Sequence, residues 1–286
     1  MCRPAEFEIG ATGSHLEKSG RETERGVSMK EVIRIKAFQT ALEAAYEQVC
    51  TGVYYAFGDL HIGARQSRWR EAVQVIEQLD DLGILILAGD TLELRYMHEH
   101  RSGSQQPKRS LTTSEEQRET AMWAEFQEFT DQLDQLGLLD RTVLLRGNHD
   151  SSIDVQFSLQ GYQIQDYAYF WAGNQYVLVV HGQGIGYEAA MKWAEREQRD
   201  TSEALRRMKA RLIATRNPTY PTLRDVDWLI VAHFANAVLD MTGRVCGLSP
   251  FTHDLLDGRR GAFARITPAA ENLERLVELW KYSEFL

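Results

Sequence analysis

This chain of 286 residues predicts an α/β fold built on parallel strands, and three features carry that expectation. Continuous apolar runs such as Ile84-Leu85-Ile86-Leu87-Ala88 alternate with stretches of helical periodicity, the pattern of strands buried on both faces and joined by helices. Five of these runs end abruptly in polar groups, at Asp59/His61, Asp90, Asn148/His149, His181 and His233. Glycines at 58, 89, 147 and 182 stand at those ends, where the backbone must turn sharply or approach a ligand closely. Sites in open α/β sheets form outside the carboxyl ends of the strands, so the five ends are expected to converge.

In chain order, residues 1–28 are polar and aperiodic and read as a disordered leader. The remainder, 29–286, reads as one domain without internal repeat or low-complexity tract. Ser28 to Glu31 fits a capping box, and Ile35, Phe38, Leu42, Ala45 and Val49 then predict an amphipathic N-terminal helix over 29–50. Val53–Phe57 is a strand. Trp69, Ala72, Val73, Ile76 and Leu79 mark a helix expected to stop at Gly83, ahead of a strand over 84–88. An excursion over 93–137 follows, first polar, then helical from Ser114 with Met122, Phe126, Phe129, Leu133 and Leu136 on one face. Long excursions of this kind usually serve as lids or are disordered, and a lid is the expectation here. The strand Thr142–Leu145 runs straight into Arg146-Gly147-Asn148-His149-Asp150. A hairpin pairs Tyr167–Trp171 with Tyr176–Val180. Residues 187–216 form a charged helical insertion, with eight Lys/Arg against four Asp/Glu between Lys192 and Arg216. Trp228–Ala232 is a strand, Ala237–Asp240 and Val245–Leu248 a second hairpin, and Ala262–Ile266 and Arg275–Trp280 are further strands.

A formal net charge of −9 argues against a surface devoted to coating nucleic acid. The three cysteines, Cys2, Cys50 and Cys246, are odd in number and widely spaced, which points to a reducing compartment. The sequence has no apolar stretch of membrane-spanning length and no apolar signal core. Cytoplasm is the expected location.

The converging set holds two Asp, one Asn and four of the eight histidines. Oxygen and imidazole donors in this mixture suit borderline divalent metals: Mn, Fe, Co, Ni or Zn. A carboxylate on a middle strand is placed to bridge two ions, and two ions about 4 Å apart polarise a phosphoryl group and activate water near neutral pH.

These residues resemble the signature of the calcineurin-like metallophosphoesterase superfamily. The matching segments are GDLH at 58–61, GD at 89–90, GNHD at 147–150, HG at 181–182 and AHFA at 232–235, a likeness spanning roughly residues 53–266. It implies a four-layer α/β/β/α sandwich with a helical insertion and two divalent ions, Mn first among them. Carried over by position, Asp59 and His61 would hold the first metal, Asp90 would bridge, and Asn148, His181 and His233 would hold the second. His149 would be the proton donor, oriented by Asp150. The pattern breaks once. The family has a second histidine two places after the one standing here as His233, and this chain has Ala235. Asn236, His253, His98 and His100 are candidate substitutes. Arg146, Lys108, Arg109 and Arg65, which follows Ala64, are candidate contacts for substrate phosphate.

The expected function is hydrolysis of a small phosphomonoester, phosphodiester or pyrophosphate, which the retained His149 and Asp150 favour. The missing ligand and the N-terminal helix favour a different class, a scaffold resembling the retromer subunit that uses this fold without phosphatase activity. The helical insertion between His181 and His233 resembles the layout of bacterial UDP-2,3-diacylglucosamine hydrolases. Its charge reads first as a solvated helical face, and it also admits a nuclease, since the DNA-repair exonucleases of the superfamily share GDLH and GNHD, although no aromatic series for base stacking accompanies it. Serine/threonine phosphatases fit less well, because GDTLELR lacks the arginine placement of their GDxVDRG motif.

Overall fold

The computed structural model describes residues 52–94, 113–150, 164–172, 175–215, 226–233, 237–251, 253–254, 258–259, 261–268 and 275–282. The leader, the helix expected over 29–50, and His98, His100, Lys108, Arg109, Ala235 and Asn236 lie outside the described residues, as does the side chain of His253.

Thirteen strands and four α-helices are described. In chain order they are β1 (Val53–Phe57), α1 (Trp69–Ile76), β2 (Leu82–Leu87), α2 (Thr113–Gln135), β3 (Thr142–Leu145), β4 (Ile164–Gln165), β5 (Tyr167–Ala172) and β6 (Gln175–His181). They continue with α3 (Tyr187–Arg196), α4 (Thr201–Thr215), β7 (Trp228–Ala232), β8 (Val238–Asp240), β9 (Val245–Gly247), β10 (His253–Asp254), β11 (Gly258–Arg259), β12 (Ala262–Ile266) and β13 (Val277–Lys281). One sheet has the order β13-β12-β1-β2-β3-β4 and a second the order β5-β6-β7-β9-β8. The β1-β2-β3-β4 and β6-β7-β9 pairings are parallel, whereas β12 and β13 close the first sheet antiparallel.

Three separate apolar cores lie between four layers. The first joins α1 and α2 to one face of the first sheet, through Trp69, Val73, Phe126 and Phe129 against Tyr55, Leu85 and Leu87. The second lies between the sheets, with Ala56, Ile86 and Ala264 facing Phe170, Val179 and Ile230. The third joins the second sheet to α3 and α4 through Leu178, Val180, Leu229 and Val231 against Ala190, Leu205, Met208 and Leu212. A parallel strand is apolar on both faces because each face meets a different core. The architecture is therefore the α/β/β/α sandwich.

Two segments take a different role from the one their sequence suggested. The helical part of the 93–137 excursion is a wall rather than a lid. Met122, Phe126, Phe129 and Leu133 of α2 are buried, Trp69 donates its indole N–H to Glu125 (3.1 Å), and Arg70 pairs with Glu128 (2.7 Å). Each buried ring of this kind contributes about 3–5 kcal/mol, which a helix that swung open would forfeit. The basic insertion is likewise the fourth layer. Arg206 pairs with Asp240, Arg207 stacks over the Trp193 ring at 4.4 Å, and the Lys209 ammonium donates to the carbonyls of Asp227, Gly243 and Arg244. Burial pulls the Lys209 ammonium below its ordinary range. Three of the insertion's cations thus bind protein groups.

Gly83 also differs. It lies within β2 instead of ending a helix, and glycine is required there by close packing, since a side chain would meet the Gly52 backbone at 2.9 Å. The strand accordingly starts two residues earlier than its apolar run.

Candidate metal centre

The carboxyl ends of β1, β2 and β3 in the first sheet, and of β6 and β7 in the second, meet at one rim. Asp59 follows β1 by two residues, Asp90 follows β2 by three, His181 is the last residue of β6 and His233 comes just after β7. Backbone pairing continues past the strands and locks the loops together. The His61 and Ile62 N–H groups donate to the carbonyls of Asp90 and Thr91 (both 2.9 Å), and the Leu94 N–H donates to that of His149 (3.1 Å).

Each aspartate uses one oxygen to fix itself. Asp59 Oδ1 accepts from the His233 N–H (3.2 Å) and Asp90 Oδ1 accepts from the His149 N–H (2.7 Å). The other oxygens face imidazoles. Asp90 Oδ2 lies 3.2 Å from His181 Nε2, 3.8 Å from His233 Nδ1 and 3.9 Å from His149 Nε2, while Asp59 Oδ2 lies 3.9 Å from His61 Nε2. Asp90 and His181 are both 1% exposed at the side chain and form the floor; His61, His149 and His233, at 13–25%, form the rim.

Close approach and strain mark the same positions. His61, Asp90 and His233 adopt φ of 48°, 47° and 76°, a conformation that costs non-glycine residues about 1–3 kcal/mol each. Gly147 leaves room for Asp90, since a Cβ there would fall 2.0 Å from Asp90 Oδ1. One at Gly89, itself at φ +96°, would meet the His181 ring at 2.7 Å.

Asp59, Asp90, His181 and His233 each offer a donor atom within 4.8 Å of the others, and His61, Glu93 and His149 form a second such group. The second group exposes a residue that sequence reasoning missed. Glu93 Oε2 accepts from His61 Nδ1 (2.9 Å) and Oε1 from His149 Nδ1 (2.7 Å). Glu93, not Asp150, meets the His149 ring. Asp150 is buried, and its two oxygens accept from the backbone N–H groups of Gly147 (2.6 Å) and Thr91 (2.9 Å). Asp150 holds the loop, which corrects the expectation that it orients the imidazole. The sequence offers only a weak signal for Glu93, the apolar-polar alternation of Leu92-Glu93-Leu94, in which the structure buries both leucines. Tyr187, at the start of α3, was also missed; its ring meets that of His233 edge-on at 4.7 Å. Asn148 rides on the same loop as His149. Arg146 pairs with Asp166 (2.9 Å), and Arg65 is exposed on the loop after His61.

Titration behaviour follows from this crowding. Burial pushes the Asp59 carboxyl up, with Asp90 adding to it against the opposing pull of His181. Burial also resists ionisation of Asp90, yet the imidazoles of His181 and His233 outweigh it and hold that carboxyl far below the usual range. Burial lifts Asp150 to about 6, helped by the charge of Asp90. Glu93 falls to about 2, because the hydrogen bonds from His149 and His61 overcome its burial. For His61 burial favours the neutral ring, but Glu93, Asp59 and Asp90 prevail and raise it to about 9.

A divalent ion fits this arrangement. Asp90 Oδ2 and both ring nitrogens of His181 are buried without a hydrogen-bond partner, although Asp90 Oδ2 and His181 Nε2 lie only 3.2 Å apart. Orphaned buried donor and acceptor atoms are costly unless something else satisfies them, and a cation shared by carboxylate and imidazole does so.

The raised His61 gives a pH prediction with a definite sign. In the metal-free protein the protonated ring contributes stability that is complete below about 6.5 and lost as pH rises through about 9. A metal must displace that proton, so its affinity moves the opposite way. Mn²⁺ affinity is expected to rise up to roughly 100-fold from pH 7 to 9 and flatten above, one proton being released per His61 bound. Calorimetric titration in two buffers of different ionisation enthalpy measures both quantities. A pH-independent affinity over that window would contradict the assignment of His61.

The calcineurin-like phosphoesterase model matches residues 53–254, and the chain belongs to that family. No curated protein matches it. Among solved structures it is similar to vacuolar protein sorting 29 from Cryptosporidium parvum, at 12% identity over 81% of this chain and 97% of that one, with a TM-score of 0.38. It is also similar to a conserved uncharacterized protein, a predicted phosphoesterase, from Streptococcus pneumoniae TIGR4. That match has 11% identity over 81% of this chain and 98% of the other, with a TM-score of 0.33. Among the described residues, no helix is long and apolar enough to cross a membrane.

Proposed function

We propose that the chain is a metal-dependent phosphoesterase that hydrolyses a P–O bond of a small phosphorylated substrate in the cytoplasm. The observation that carries this reading is Asp90 Oδ2, buried and ringed by imidazole nitrogens of His181, His233 and His149 at 3.2–3.9 Å. Asp59, His61 and Asp90 would hold a first ion, and Asp90, Asn148, His181 and His233 a second, with Mn the leading candidate. Bound there, the ions supply Lewis-acid polarisation of the phosphoryl oxygens and lower the pKa of water. The chain's own residues supply the rest. His149 sits at the rim with Nδ1 held by Glu93, and donates from Nε2 the proton that the departing oxygen needs as its bond to phosphorus breaks. The strained loops hold these groups in place before substrate arrives, so little reorganisation remains to be done.

A nuclease reading is the less favoured, because Arg206, Arg207 and Lys209 of the basic insertion are engaged within the fold. The scaffold reading rests on Ala235 and on the helix expected over 29–50. One experiment separates enzyme from scaffold: metal content after dialysis, together with Mn²⁺-dependent hydrolysis of bis(p-nitrophenyl) phosphate and p-nitrophenyl phosphate. Turnover of either, abolished by chelation, is expected. Bound metal with no turnover on any phosphoester would favour the scaffold.

Ala235 yields its own prediction. With one ligand gone the first ion is the weaker, and even an outer partner of a ligand is worth 10–100-fold in affinity. Ala235→His is therefore expected to lower the Mn²⁺ needed for half-maximal hydrolysis by roughly 10-fold or more. Unchanged affinity with unchanged rate would mean that Asn236, His253, His98 or His100 already fills the position.

A further inference from the structure

With alanine at position 235 the first ion is one donor short, and the structure brings a further oxygen donor to the edge of the centre. We propose that Tyr187 takes the place Ala235 leaves open, its phenol oxygen binding the first ion together with Asp59, His61 and Asp90. The proposal rests on the metal-dependent reading for the ion and on the packing around His233 for the residue.

Tyr187 reaches the centre by a short route. β6 ends at His181, the single turn Gly182–Ile185 follows, and Gly186, at φ 82°, redirects the chain so that α3 begins at Tyr187. A side chain at Gly182 would meet Tyr187 Cβ at 3.1 Å and the Ala232 carbonyl oxygen at 3.2 Å, so glycine there lets the tyrosine lie against the end of β7. The Tyr187 ring stands edge-on to that of His233, with centroids 4.7 Å apart at 86°, and the His181 ring meets His233 at 4.7 Å and 69°. The place to be filled follows His233 by two residues, and Tyr187 packs on His233 itself.

The phenol also lies toward the first ion's own carboxylate. Asp59 accepts the His233 N–H (3.2 Å), which ties that carboxylate to the residue Tyr187 covers. Burial pushes the Tyr187 phenol up, and the charge that adds to it is that of Asp59. A cation held by Asp59 reverses the sign of that field at the phenol oxygen. The resulting donor set remains oxygen and imidazole, the mixture suited to Mn, Fe, Co, Ni or Zn. Near neutral pH the phenol is a weaker donor than the histidine it replaces, because its ordinary pKa is about 10 against about 6.5 for imidazole, and a ligand must give up its proton. Ala235→His therefore still gains affinity, and in doing so makes Tyr187 dispensable.

Tyr187→Phe removes the oxygen and keeps a ring edge against His233. Calorimetric titration of the full chain with Mn²⁺, in wild type, Tyr187→Phe, Ala235→His and the double variant, gives the first readout. The weaker equivalent is expected to lose roughly 10-fold or more in affinity in Tyr187→Phe, since even an outer partner of a ligand is worth 10–100-fold. In the Ala235→His background the same substitution should leave affinity unchanged, because the histidine already fills the place. The second readout is colour, and it needs no variant to be decisive. Wild type loaded with Fe³⁺ is expected to show the visible charge-transfer absorption of a phenolate bound to iron, and Tyr187→Phe to lack it. An equal loss of affinity in both backgrounds would make Tyr187 packing for His233 and overturn the proposal. Iron-loaded wild type without the band, or a band that survives in Tyr187→Phe, would do the same. So would a raised KM with Mn²⁺ affinity intact, the mark of a substrate contact. A wild type without turnover counts against the phosphoesterase reading, while affinity and colour, recorded without substrate, still decide the role of Tyr187.

Discussion

Asp90→Ala is expected to abolish metal retention and hydrolysis together, with kcat/KM falling roughly 10³-fold or more, since Lewis-acid stabilisation is worth several kcal/mol and each 1.36 kcal/mol is tenfold. Among the described residues, no other side chain stands in the same relation to the centre. Asp90 Oδ2 is the oxygen shared by His181, His233 and His149, and Asp90 Oδ1 accepts the His149 N–H at 2.7 Å. Alanine removes the charge that offsets the surrounding imidazoles and leaves that amide unpaired. It must also adopt φ near 47°, which favours asparagine over alanine. Asp90→Asn therefore separates charge from shape: it keeps the hydrogen bond and the backbone preference, and still should lose metal. Metal analysis after dialysis, with Tm of the metal-free proteins as the folding control, reads this directly. An Asp90→Ala protein with wild-type metal content and rate would end the two-metal model.

Much of this centre was legible because its residues stand at strand ends. The runs Val53–Phe57, Thr142–Leu145 and Trp228–Ala232 became β1, β3 and β7 without change of boundary, since a continuous apolar run that meets a polar group has one place to stop. Periodicity could say that Met122, Phe126, Phe129 and Leu133 share a face, but not what that face covers; the open face of the first sheet decided it. The charge of the insertion left a solvated helical face and a phosphate-binding surface both open for a related reason, because sequence shows charge without its partners, and Asp240 and Trp193 are distant from Arg206 and Arg207 along the chain. Glu93 was hidden by its place at the start of a polar excursion, and its partners, 32 and 56 residues away, are brought to it only by the pairing of three loops. The positive φ values at His61, Asp90 and His233 have no sequence signal at all, since none of the three is glycine.

His149→Ala should fail in a different way from Asp90→Ala. The expected result is a kcat lower by roughly 10²–10⁴, the usual worth of a positioned proton donor, with KM and metal content little changed. The structure gives a specific reason for metal to stay: what fixes Asp90 is the backbone N–H of His149, and alanine keeps it. The side chain lies at the rim, 15% exposed, so its loss opens no sealed cavity. Glu93 retains His61 as a partner for one oxygen, with the other free to take water. If the lost function is proton donation, the defect must depend on the leaving group. A p-nitrophenolate leaves readily without a proton, whereas an alkoxide does not, so the drop should be larger for an alkyl phosphoester than for the p-nitrophenyl compound. Loss of one metal equivalent in His149→Ala would instead make the imidazole a ligand, and an equal defect on both substrates would remove proton donation as its task.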